Sequence, residues 1–255
     1  MTKPTILISI DTNAETEAEA FGRAFIQSLC DEDKRLVPEW LSTTESYKNP
    51  FLGIDDFVAN WWAMPVKTLV DGKAFSEDFH GPAWKRKSSL ASRGMINHGI
   101  VDIKYHKHLA GLWFECRWIK DVDFNHLFDG WVQLSHPEMG MLHVFTEPEL
   151  HWQDYEVDSW FRTGSFGGPA KPGLPNIGWA MAYGEGYAGE VDAARIRAAG
   201  FPVDELDGVT VVRVTDKLND VVDDFERFSA RRAELKTLFR PDLFWIKEEP
   251  TQRPL

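Results

Sequence analysis

Cysteine is scarce in this chain. Only Cys30 and Cys116 occur in 255 residues, and they form no CxxC pair. That spacing argues against a disulfide framework and against a cysteine-held zinc. Positive charge is also short: 28 Lys and Arg stand against 40 Asp and Glu, a net charge of −12. A field of that sign repels phosphate backbones, so nucleic acid is not expected as a direct ligand. Long apolar runs are missing as well. No stretch approaches the ~18 residues of a membrane span. The apolar segment Thr5–Ile10 is interrupted by Asp11 and is too short for a signal-peptide core. These shortages place the chain in a reducing cytoplasm, with no membrane partner. Phosphate-binding signatures of the GxGxxG or GKS/T kind do not occur, and Gly164-Ser165-Phe166-Gly167 lacks the spacing of a hydrolase elbow.

Aromatic residues, by contrast, are abundant. Eleven Trp and 17 Phe accompany a hydrophobic content of 43%. Large rings bury much surface, both in cores and at interface hot spots. Thr5–Ile10 reads as a buried strand. Thr12-Asn13-Ala14-Glu15 has the form of a capping box, and Ala14, Ala18, Phe21, Phe25 and Leu29 make one apolar face. That pattern predicts a helix over 13–34. A short helix is expected over 57–64, ending at Pro65. Alternation over 100–106 and 112–119 predicts an antiparallel hairpin, and 141–145 a further strand. The stretch 164–178 holds five Gly and three Pro and reads as a loop. Beyond it come a strand at 179–183, a helix at 191–199 and an Asp207-Gly208 turn. That turn leads into the β-rich run Val209–Val214, and a helix follows over 219–238. The order is that of an α+β fold, with antiparallel sheet packed against helices. One domain over 1–255 is expected. The comparable order on either side of the loop leaves open two similar halves, 1–163 and 179–255, although no sequence repeat links them.

Three groups of residues carry candidate chemistry. His106 and His108 would face one way on a strand, with His143 or His151 as a third metal ligand. Asp102-Ile103-Lys104 has the D-x-K form of metal-dependent nucleases, with Glu77 or Asp78 as the second acid. A metal-dependent hydrolase or nuclease built on Asp102, Lys104, His106 and His108 is therefore the alternative reading. Against it stand the chance frequency of D-x-K and the negative field. The third group is acidic and aromatic: Asp121, Asp123, Asp154, Glu156 and Asp158, with Trp152 and Trp160. Carboxylates around aromatic anchors suit a basic protein partner. With no cofactor signature and no complete catalytic set, a binding protein rather than an enzyme is expected.

The second half carries a resemblance. Leu174-Pro175-Asn176-Ile177-Gly178-Trp179, Gly184-Glu185-Gly186-Tyr187, Val209–Val214, Asp220-Val221-Val222-Asp223-Asp224-Phe225 and Pro241-Asp242-Leu243-Phe244-Trp245 resemble bacterial immunity proteins of polymorphic toxin and type VI secretion systems. The immunity protein 52 family is the nearest in pattern. The likeness spans about 99–245. It implies an α+β protein that binds and neutralises a cognate toxin, in that family often a restriction-endonuclease-like DNase. It supplies no catalytic residues to carry over.

Overall fold

A computed structural model describes residues 3–43, 46–70, 73–101, 107–150, 155–166 and 173–250. In chain order the first strands are β1 (Thr5–Thr12), β2 (Trp40–Ser42), β3 (Asn49–Pro50), β4 (Met64–Val70) and β5 (Lys73–His80). Next come β6 (Ala83–Arg86), β7 (Ser92–Asn97), β8 (Ile100–Val101), β9 (Lys107–His108) and β10 (Ala110–Arg117). The last are β11 (Met139–Phe145), β12 (Ala180–Tyr183), β13 (Val203–Leu206) and β14 (Val209–Arg213). The helices are α1 (Glu19–Glu32), α2 (Ile54–Phe57), α3 (Phe124–Ser135) and α4 (Glu147–Leu150), then α5 (Tyr155–Thr163), α6 (Ala193–Ala198), α7 (Asp220–Asp223) and α8 (Phe225–Lys236). The class is α+β, as the element order implied. The chain divides into two compact units. The first holds 1–10, 117–121 and 137–255, and the second holds 11–116 and 122–136. Residues on either side of the 164–178 stretch therefore belong to the same unit.

In the first unit the strand order is β13-β14-β12-β11-β1. Strands β11 with β12, β12 with β14, and β13 with β14 all pair antiparallel. Asp207 and Gly208 have φ of 49° and 88°, the backbone of a type I′ turn, so the expected hairpin is present. Every residue of β11 and β12 is buried. Helix α8 lays Phe225, Phe228 and Leu235 into the core. The single helix expected over 219–238 is instead two. Asp224 leaves helical geometry at φ −147°, and its carboxylate accepts from the Arg227 amide at 3.2 Å, capping α8. A short acidic side chain competes with the backbone for that amide, which suits it to a cap rather than a helix interior. Asp192 does the same for α6, which runs 193–198 rather than 191–199.

In the second unit the order is β10-β7-β6-β2-β3. Strand β10 alternates buried and half-exposed, as its sequence implied. Its antiparallel partner in this unit, however, is β7: Leu112 faces Ile96, and Phe114 faces Gly94. Ile100–Val101 pairs with Lys107–His108 instead. Helices α1 and α3 line one core: the Phe25 ring packs tilted against Trp131 at 4.4 Å and meets Trp84 edge-on at 5.8 Å. Trp84 closes over Gly94, where an added Cβ would sit 2.2 Å from its ring. Helix α1 begins at Glu19, not at 13. The Thr12 hydroxyl accepts from the Ala14 amide at 2.9 Å and donates to the Ser135 carbonyl at 2.5 Å. Thr12 therefore ends β1, and the capping-box reading fails. Near 57–64, α2 passes into a π-helical turn over Val58–Trp62, and Met64-Pro65 already belongs to β4.

Candidate functional site

The described residues of the acidic, aromatic group come from different stretches of the chain. Asp121 is exposed. Asp123 is the N-cap of α3. Its Oδ1 accepts from the His126 amide at 2.9 Å, and its own amide donates to Glu32 Oε1 at 3.1 Å. The other Glu32 oxygen lies 2.8 Å from His126 Nδ1 and raises the proton affinity of that ring, by hydrogen bond first and charge second. Asp123 therefore has a local structural task. Asp123→Ala should lower stability by about 0.5–2 kcal/mol, read as a shift in the urea midpoint; an unchanged midpoint would show that the cap contributes nothing. Trp160 is half-buried in α5, its ring 5.3 Å from that of the half-buried Trp245. Glu156 and Asp158 lie on α5, while Trp152 and Asp154 lie outside the described residues.

Of the metal-centred alternative, Asp102, Lys104, His106 and His151 also fall outside the described residues. His108 is exposed on β9, and Asp78 is half-buried on β5 beside Glu77. Among the described residues no group of three or more His, Cys, Asp or Glu is placed to hold a metal. His143 is engaged elsewhere. The Trp179 amide donates to its Nδ1 at 3.1 Å, so that nitrogen is the acceptor. Its Nε2–H then points at the Glu149 carboxylate, 3.0 and 3.1 Å from the two oxygens. Both ring nitrogens are spent, which leaves none for a metal.

His143 instead begins a buried charge network within the first unit. Glu149 comes from α4, Arg232 and Lys236 from α8, and Glu249 from the segment after α8. Arg232 is fully buried. Its Nη1 donates to Glu149 Oε1 at 2.8 Å, and its Nε to Glu249 Oε2 at 2.6 Å. Lys236 Nζ reaches the other Glu249 oxygen at 2.5 Å and the Ile246 carbonyl at 2.9 Å. Two carboxylates thus meet two cations, with the His143 imidazole beside them. Burial opposes the charge on Glu149, but His143 and Arg232 outweigh it and hold the carboxyl well below its ordinary value. Burial dominates at Lys236 and brings its ammonium down to about 8, against the pull of Glu249. Phe228 packs on both His143 and the Arg232 guanidinium. Largely buried, this set ties β11, α4, α8 and the segment after α8 together. One signal pointed to it in the sequence: Arg232 falls on the same side of α8 as Phe225, Phe228 and Leu235.

Comparison with known proteins adds a likeness of fold. No family model matches the chain, so the specific resemblance to the immunity protein 52 family gains no support of that kind. No curated protein matches either. Among solved structures, the chain is similar to the Pseudomonas aeruginosa T6SS protein PA0821. They share 13% identity at a TM-score of 0.60, over 95% of this chain and 73% of that one. At such low identity the two share a fold, and function does not transfer with it.

Proposed function

We propose that this chain is an immunity protein of a type VI secretion system, binding and neutralising a cognate toxin. The observation that carries this reading is the fold shared with a T6SS protein over 95% of the chain. A net charge of −12 is consistent with it. The finer reading is a restriction-endonuclease-like DNase as the toxin, met in the cytoplasm where its substrate lies. Such an enzyme must attract DNA, so its active face is basic. An acidic protein would occlude that face without taking part in the toxin's chemistry, and opposite fields would speed the encounter. Asp121, Asp154, Glu156 and Asp158, with Trp152 and Trp160 as aromatic anchors, are the residues assigned to this contact. Asp123 joins them only if its cap survives binding. Among the described residues no helix is long and apolar enough to cross a membrane.

The test is rescue. Cells expressing a candidate toxin domain, sought among the genes adjoining this one, should survive when this chain is co-expressed, and the two proteins should co-purify. The chain should also suppress DNA cleavage by the purified toxin. Unchanged killing and an unchanged cleavage rate would sink the reading. Asp121→Lys, and separately Asp154→Lys with Glu156→Lys, should slow association and flatten its salt dependence. Wild-type association rates in both would remove the acidic contact while leaving neutralisation standing.

A further inference from the structure

The segment after α8 runs back along that helix as a strap over 241–250. Pro241 lacks an amide hydrogen and fixes its own φ, so the helix does not resume there. Leu243 and Phe244 are buried and anchor the first half of the strap. The Leu174 amide donates to the Leu243 carbonyl at 2.7 Å. The Trp245 and Ile246 amides donate to the carbonyls of Leu174 and Pro175, each at 2.9 Å. The second half then meets α8 in reverse order. Ile246 reaches Lys236, Glu249 reaches both Lys236 and Arg232, and the Pro250 carbonyl accepts from the Ser229 hydroxyl at 3.4 Å.

Lys236 is the titratable group that this second half covers. Its ammonium donates to the Ile246 carbonyl and to Glu249 Oε1, and both acceptors ride on the strap. Its side chain is 10% exposed. Three charged groups face it. Glu249 from the strap and Glu149 from α4 favour its charge, while Arg232, one turn back on α8, opposes it. Burial is the largest influence and brings the ammonium down to about 8. Loss of the proton strands nothing. A neutral amine still has N–H donors for Ile246 and Glu249, and Arg232 still balances the Glu249 charge.

We infer that the second half of the strap, 245–250, is a proton-linked latch that closes more firmly over α8 once Lys236 has given up its proton. Lifting that half returns Lys236 to water, where the ammonium keeps its ordinary 10.5. The open form therefore binds the proton more tightly than the closed one. Closure gains in full from deprotonation above 10.5, and that gain is lost as pH falls through about 8. One proton is exchanged, so the opening constant changes by at most about tenfold per pH unit. Trp245 moves with the latch. Its ring lies 5.3 Å from that of Trp160, so lifting also parts the ring partner of a residue assigned above to the toxin contact. The latch itself does not depend on that assignment.

The experiment is amide hydrogen exchange at Trp245 and Ile246 in the whole chain, from pH 7 to 10. Protection is expressed relative to an unstructured peptide at the same pH. It should be lower than in β12, the mark of a segment that opens without unfolding its unit. It should stay level near pH 7 and climb above pH 8, by about threefold to tenfold per unit. Lys236→Arg keeps a cation at every pH and should abolish the climb. Lys236→Met, which has no proton to exchange, should abolish it too. Circular dichroism checks that each variant folds, and the wild-type profile needs no variant. Level wild-type protection across the range overturns the latch. So does a climb that survives both substitutions, or protection at Trp245 and Ile246 equal to that in β12.

Discussion

Arg232→Ala is expected to destabilise the protein by about 3–5 kcal/mol, the scale seen when one partner of a buried ion pair is removed. The guanidinium is fully buried between Glu149 and Glu249. Without it, two carboxylates remain in a largely buried environment with only Lys236 and the His143 ring beside them. The loss therefore comes mainly from the stranded acids rather than from the pair's own attraction. A cycle exposes this. Arg232→Met with Glu149→Gln should be less damaging than the sum of the two single changes, because the second removes a charge that the first would strand. Acid sensitivity should move as well. Glu149 is held below its ordinary 4.5, so its contribution is fully present above that value and is lost as pH falls through the lower folded one. Removing Arg232 raises the folded value, and acid unfolding should then begin at a higher pH. Urea midpoints read by tryptophan fluorescence across pH check all three statements. A single variant within about 1 kcal/mol of wild type would mean that water reaches the network.

Trp62→Ala should cost about 3–5 kcal/mol, the range for emptying a fully buried large ring. Trp62 ends the π-helical turn and is 1% exposed. Its ring stands 5.6 Å from Phe25 and 5.8 Å from Phe57, and an added Cβ at Gly22 would come within 2.4 Å of it. It also closes a circuit of polar bonds. Its indole N–H donates to the Thr16 carbonyl at 2.8 Å, and its carbonyl accepts from His98 Nε2 at 2.7 Å. The Thr16 hydroxyl then donates to His98 Nδ1 at 2.9 Å. The substitution would open a cavity and cut that circuit together. Gly22→Ala tests the same contact from the other side, and overpacking there should cost about 1–3 kcal/mol. Both are read from denaturation midpoints. A Trp62→Ala protein with a wild-type midpoint would show that α1 and α2 close over the gap.

Features set by neighbours along the chain were readable from the sequence alone. Asp207-Gly208 specified its turn because a type I′ turn needs positive φ at both central positions, which Gly takes freely and Asp tolerates. Strands β1, β11, β12 and β14, the burial alternation of β10 and the α+β class followed from apolar period in the same way. Tertiary structure decided what depends on distant partners. Helix α1 starts at Glu19 because the Thr12 hydroxyl is claimed by Ser135, 123 residues on. Strand β10 pairs with β7 because that register sets Phe114 and Leu112 over Gly94 and Ile96. Helix α3, unread in the sequence, begins where Asp123 serves as its cap, a local task that the residue's neighbours did not announce. Trp160 was singled out as an anchor, but its pairing with Trp245 across 85 positions was not legible. His143 looked like a metal ligand until Trp179 and Glu149 took both its nitrogens. A side chain's chemistry is written in its own residue. Its protonation, exposure and partners are fixed only when packing selects one long-range pairing from many that local preference permits.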